Sequence, residues 1–140
     1  MLGFDFGRRR IGVAVGQTAT RSASAVGTVS HAENPDWQSI ARLVGDWQPA
    51  AFVVGLPLDA EGNETGMSAE ARQFGAELAK RYGREVYYSD ERLTSVAAGA
   101  HFAQARSEGR ARRKDTRRLD AMAAQIILEN WLQSPSADSA

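Results

Sequence analysis

At 140 residues the chain has room for one domain with a substantial core, and not for two of ordinary size. A composition 43% hydrophobic and 24% charged is that of a globular protein, and the absence of cysteine excludes disulfides and thiolate metal sites. Seventeen basic and seventeen acidic residues give a formal net charge of zero, so any case for a nucleic-acid partner must rest on how charge is distributed.

Residues 1–16 read as two apolar strands joined by a short basic turn, Arg8-Arg9-Arg10, with Asp5 inside the first strand. The chain enters this apparent core strand at Leu2 with no basic leader ahead of it, and no apolar run reaches membrane-spanning length, so the expected address is cytoplasmic. Residues 17–25 are small and polar and read as a turn or loop, and 26–30 as a short third strand, giving an antiparallel meander. Asn34 suits a helix N-cap, Pro35 the first helical position and Asp36 the positive end of the dipole. Trp37, Ile40, Ala41, Val44 and Trp47 then form one apolar stripe, and Pro49 ends the helix.

The run 51–55 is continuously apolar, as in a strand covered on both faces. A loop over 56–66 leads to a second helix capped by Ser68, with Ala71, Phe74, Leu78 and Tyr82 as its buried line and Gly83 closing it. A fifth strand over 85–89 runs into Asp90-Glu91-Arg92. Thr94 or Ser95 caps an alanine-rich third helix reaching to about 106, and Thr116 caps a last helix carrying Leu119, Ala123, Ile126, Ile127 and Trp131. Residues 134–140 read as a frayed tail after a single domain over 1–133. Strands separated by helices pair in parallel, so the expected architecture is a mixed five-stranded α/β sheet, three strands antiparallel and two parallel, flanked by helices.

Acids stand where acids are hard to place: Asp5 within a strand, Asp90 and Glu91 at the end of another, Asp120 in the first turn of the last helix. Ala121, Ala123 and Ala124 would let that helix approach the sheet closely enough for Asp120 to reach it. Sites in parallel sheets form at the carboxyl ends of strands, where these elements could meet. Carboxylates without thiolates prefer hard ions, Mg²⁺ or Mn²⁺, and two ions about 4 Å apart clamp the attacking and leaving oxygens of an in-line displacement. Simpler readings stand beside this one. Asp5 could pair with Arg8, Arg9 or Arg10, Asp90 could serve as a loop or capping acid, Glu91 could pair with Arg92, and Asp120 could favour a helix dipole. His31 and His101 lack ligand spacing and suit surface or core packing. The run Arg106, Arg110, Arg112, Arg113, Lys114, Arg117, Arg118 is either a solvated loop or a phosphate-backbone contact beside the acids.

Asp5-Phe6-Gly7 with Ile11-Gly-Val-Ala-Val-Gly16, Gly55-Leu-Pro-Leu58, Asp90-Glu-Arg-Leu93 and Leu119-Asp-Ala-Met-Ala-Ala124 resemble, in order and spacing, the YqgF/RuvX family over nearly the whole chain. The resemblance implies an RNase H-like fold and a two-metal carboxylate site. Asp5, Glu91 and Asp120 would be both catalytic and metal-ligating, with Asp90 as the alternate strand-end ligand. It further implies a divalent-metal-dependent endonuclease that matures the 5′ end of the 16S rRNA precursor. In that reading Asp5 bridges two Mg²⁺ or Mn²⁺ ions, and Glu91 and Asp120 each complete one. Arg8, Arg9, Arg10, Arg110, Arg112, Arg113, Lys114, Arg117 and Arg118 hold backbone phosphates, with Gly7, Gly12 and Arg92 in support. Gly7, Gly12 and Gly16 would permit a tight turn and close backbone approach to a phosphate. The partner would be structured RNA, with branched DNA as the alternative, no membrane, and a monomer or homodimer as the assembly. Rival readings are a Holliday junction resolvase using the same acids, a nucleotide-binding module and a non-catalytic RNA- or partner-binding domain.

Overall fold

The structure is a computed structural model describing residues 1–7, 9–31, 33–90 and 113–134, with the backbone alone for 113–118. Strands β1 (Leu2–Phe6), β2 (Arg10–Gln17) and β3 (Ser22–Ser30) form an antiparallel meander. Strands β4 (Ala51–Leu56) and β5 (Glu85–Asp90) add to it in parallel, giving one sheet in the order β3-β2-β1-β4-β5. The helices are α1 (Trp37–Trp47), α2 (Gly66–Tyr82) and α3 (Arg113–Leu132). The mixed five-stranded sheet expected from the order of elements is the one observed.

Strand alternation divides the core in two. Leu2, Phe4 and Phe6 of β1, Ile11 and Val13 of β2, and Phe52, Val54 and Leu56 of β4 pack with Ile40 and Val44 of α1 and Ala71, Phe74 and Leu78 of α2. Phe4 lies at the centre of this layer, its ring 5.3 Å from Phe74 and 6.0 Å from Phe52. On the opposite face Ala14, Ala23 and Val53 pack with Ala124, Ile127, Leu128, Trp131 and Leu132 of α3. β1 lies in the middle of the sheet, so Asp5 stands between buried phenylalanines on one strand yet has the parity of the α3 face.

Several boundaries differ from the sequence expectation. Residues 22–25 are strand, paired back to Gln17 through Ser22, because a tight turn at 18–21 replaces the longer loop. Helix α1 begins at Trp37 with Asp36 as its N-cap, since His31↔Pro35 bridging and Asp36 N–H donation to the Ser30 carbonyl hold Pro35 and Asp36 against the end of β3. Trp47, assigned to the buried stripe, is 50% exposed at the end of α1. Thr65 rather than Ser68 is the N-cap of α2; Ser68 is the third helical residue, is fully buried, and its hydroxyl accepts from the Thr65 N–H at 2.8 Å and donates to the Pro57 carbonyl. The last helix starts at Arg113, three residues before Thr116, so the end of the basic run is helical rather than loop. Arginine and lysine are good helix formers and carry the helix past the polar Thr116. The expected helix over 94–106 lies outside the described residues.

The Asp36 carboxylate accepts from the Ser39 N–H at 3.2 Å and from the Ser39 hydroxyl at 2.7 Å, which holds its pKa below the ordinary 3.8. A folded-state value below the unfolded one gives stabilisation that is complete above the unfolded value and is lost as pH falls through the folded one. Asp36→Ala should therefore lower the melting temperature at neutral pH, and the gap from wild type should shrink as the pH drops below 3.8. A gap that stays constant through the acid range would show that the cap acts without its charge.

Candidate active site: the last helix seats on Gly12 beside Asp5

Asp5 is half-buried in β1, and its cross-strand partner is Gly12 of β2. A Cβ at Gly12 would lie 2.0 Å from the Asp120 carbonyl oxygen and 2.7 Å from its carbonyl carbon. The backbone of α3 therefore occupies the space that any other side chain at position 12 would need. Paired residues on neighbouring antiparallel strands share a face, so Asp5 and Gly12 both look toward α3, and Asp120 stands directly over the residue beside Asp5. The close approach continues along the helix, where a Cβ at Gly3 would lie 2.8 Å from Leu128 Cβ and one at Gly16 would lie 2.8 Å from Leu128 Cδ2. Gly12 and Gly16 thus admit the helix, not a phosphate as the sequence suggested. Gly7 does serve a tight turn: a Cβ there would meet the Arg10 carbonyl oxygen at 2.6 Å.

Asp120 is the eighth residue of α3, not a first-turn acid, and the helix-dipole reading fails because that effect fades beyond the first turn. Its side chain instead makes a long-range ion pair: Arg10 Nε donates to Asp120 Oδ2 at 2.9 Å. Of the three arginines in the hairpin, Arg10 has the parity of Gly12 and Ala14 and so faces α3. It was expected to hold a phosphate, and in this structure it holds a carboxylate. Arg9 is exposed at the turn, whereas Arg8, Glu91, Arg92, Arg110 and Arg112 lie outside the described residues. Arg113, Lys114, Arg117 and Arg118 fall on α3 by backbone alone.

Asp90 ends β5 opposite Leu56, whose side chain packs in the α1–α2 layer, so Asp90 has the parity of the wrong face for Asp5 and Asp120. Sequence alone left the choice between Asp90 and Glu91 open; strand parity counts against Asp90. Among the described residues no group of three or more His, Cys, Asp or Glu side chains is assembled to hold a metal ion.

His31 is a contributor that sequence reasoning assigned only to packing. Its Nδ1 donates to the Gly7 carbonyl at 2.6 Å, its ring lies 4.9 Å from Phe6, and its N–H donates to the Arg9 carbonyl at 3.0 Å. It thereby lashes the basic hairpin turn to the end of β3. No local signal marks it, because its partners lie over twenty residues earlier in the chain.

A five-stranded mixed sheet in the order β3-β2-β1-β4-β5, with α1 and α2 on one face and α3 on the other, defines a protein of the RNase H-like fold class. In fold the chain is similar to Thermus thermophilus RuvC, a structure solved in complex with a Holliday junction substrate, with a TM-score of 0.53 at 17% identity over 97% of this chain and 94% of that one. The chain belongs to the RuvX family, whose model, described as a Holliday junction resolvase, matches residues 1–134. Among its relatives, a protein of Xanthomonas campestris pv. campestris named "Putative pre-16S rRNA nuclease" is 46% identical over 136 residues, covering 96% of this chain and 88% of that protein. One of the same name from Hydrogenovibrio crunogenus is 46% identical over 135 residues, covering 96% and 93%. Among the described residues no helix is long and apolar enough to cross a membrane.

Gly12→Ala should push α3 off the sheet, because the obstacle is backbone and cannot rotate away; a loss of about 1–3 kcal/mol or more in denaturant unfolding is expected. Gly45→Ala, in the interior of α1 with nothing within 4 Å of the added methyl, should be neutral or stabilising by up to about 1 kcal/mol. Equal effects at the two positions would refute the close approach at Gly12.

Proposed function

We propose that this chain is a divalent-metal-dependent endonuclease of structured nucleic acid that works in 5′-end maturation of the 16S rRNA precursor, with Asp5, Glu91 and Asp120 as its acid set. The observation that supports the reading is that Asp5 is the cross-strand partner of Gly12 and the backbone of Asp120 packs on that same glycine. The names of the relatives support the substrate class, and the family match supports a nuclease. For the third acid, Asp90 shares the face of Leu56 in the α1–α2 layer, which counts against it and leaves Glu91 as the acid of the Asp90-Glu-Arg-Leu93 motif.

The donor set fits a hard ion. Asp5 and Asp120 offer carboxylate oxygens, and the chain has no thiolate. Mg²⁺ or Mn²⁺ bound there would supply the Lewis acidity that phosphodiester hydrolysis needs. The protein's part is placement. β1 holds Asp5 in the rigid centre of the sheet, and α3 delivers Asp120 through a contact that leaves no slack. His31 fixes the basic turn that carries Arg9, and the basic run of the sequence from Arg110 to Arg118 carries positive charge suited to backbone phosphates.

Asp5→Asn and Asp120→Asn should each lower Mg²⁺- or Mn²⁺-dependent cleavage of a precursor rRNA by about a hundredfold or more, with unchanged folding by circular dichroism. Full activity in either variant would remove that residue from the site. Cleavage of four-way DNA junctions is the second reading, favoured by the family description and the likeness to RuvC. It uses the same acids and, because two strands are cut symmetrically, calls for a two-fold dimer. Assaying both substrates side by side, with sedimentation to give the oligomeric state, decides between them. Neutralising Arg112, Arg113 and Lys114 together should weaken nucleic-acid binding and flatten its dependence on salt, by about one unit of slope for each phosphate no longer neutralised. An unaltered slope would make that stretch a solvated surface.

A further inference from the structure

Arg10 already holds the carboxylate that a divalent cation at Asp120 would use. Arg10 Nε donates to Asp120 Oδ2 at 2.9 Å, and the two side chains retain 31% and 33% of their exposure. If Asp120 ligates a metal ion, as the reading above holds and on which this inference rests, the guanidinium must yield when the ion arrives. The guanidinium and the ion carry like charge, and their repulsion beside one carboxylate favours loss of the more weakly held partner.

The backbone on either side of this pair is held. Arg10 is paired with Ser30 in the β2–β3 ladder, its carbonyl packs against Gly7, and His31 ties the turn before it. On the other side the Asp120 backbone is wedged against Gly12. Only the side chains are left to adjust, and the long, partly exposed Arg10 side chain has solvent into which to move. We propose that Arg10 is the displaceable counter-ion of Asp120. It neutralises and orients the helix carboxylate before the cation binds, and it sets the concentration at which the cation binds. Arg10 is therefore a positioning residue acting through Asp120, not a permanent phosphate contact. A part-exposed ion pair shifts an equilibrium by about two- to fivefold, weak enough for a divalent ion to displace and large enough to measure.

The test is calorimetric titration of the full chain with Mn²⁺ alone at low salt, on wild type, Arg10→Gln, Arg10→Lys, Asp120→Asn and the Arg10→Gln/Asp120→Asn double variant. Arg10→Gln should tighten Mn²⁺ binding about two- to fivefold, Arg10→Lys by less, and the difference should narrow as salt screens the pair. Asp120→Asn should weaken binding, and adding Arg10→Gln to it should change nothing further. Equal tightening with and without the Asp120 carboxylate would mean general charge repulsion and overturn the proposal. So would unchanged or weaker Mn²⁺ binding in the Arg10 variants when Asp120→Asn does weaken it; that result would leave the acid site standing. If Asp120→Asn binds Mn²⁺ like wild type, it is the assignment of Asp120 as a ligand that falls, and the counter-ion role falls with it. Thermal melts establish that each variant is folded, and should Arg10→Gln not fold, Arg10→Lys carries the same comparison.

Discussion

The site depends on a backbone contact before it depends on any side chain. Where β2 would carry a Cβ at position 12, the chain has none, and the carbonyl of Asp120 takes that volume. The consequence is directional. An α-helix resting on ordinary strand side chains packs well away from the sheet, and a carboxylate on it would need a long side chain to reach a strand acid. With Gly12 below it and Gly3 and Gly16 against Leu128, α3 drops close to the strands, bringing the backbone of Asp120 onto the cross-strand partner of Asp5. The short aspartate side chain has few torsions, so helix placement translates into carboxylate placement with little freedom lost on binding.

Bringing two carboxylates to one face creates an electrostatic problem that the same hairpin answers. Arg10 leaves β2 on the α3 side and meets Asp120 across 110 residues of sequence. The turn that carries it is fixed from the other direction, by His31 donating to the Gly7 carbonyl and packing at a tilt against the Phe6 ring. Phe6 in turn packs 5.2 Å from Phe74 in the α1–α2 layer. The apolar layer on one side of the sheet thus braces the basic turn that serves the polar edge of the other. Asp90 illustrates the opposite case: an acid one position out of step along a strand is delivered to the wrong layer, because alternation has a period of two and no side chain reaches through a sheet.

Much of this was legible in the sequence for physical reasons. The number and order of strands followed from apolar runs bounded by turn residues, and the meander followed from short connections. The awkward placement of Asp5 between apolar neighbours marked it before any partner was known, and the alanines after Asp120 announced a helix that packs tightly. Local signals were weaker at element boundaries. Asp36, not Asn34, caps α1 because bonds from Pro35 and Asp36 to the end of β3 override local propensity, and Trp47 lies outside the core although its spacing fits the stripe.

Sequence by itself determined the fold class, the strand that carries Asp5 and the helix that carries Asp120, since these rest on hydrophobic periodicity and on the cost of placing charge in a strand. The tertiary structure alone decided that Gly12 is where strand and helix touch, that Arg10 pairs with Asp120, and that Asp90 has the parity of the other face. Those outcomes depend on cross-strand register and on the depth at which a helix seats on a sheet. Neither quantity is encoded within any short stretch of chain, because each is set only when residues far apart in the sequence come into contact.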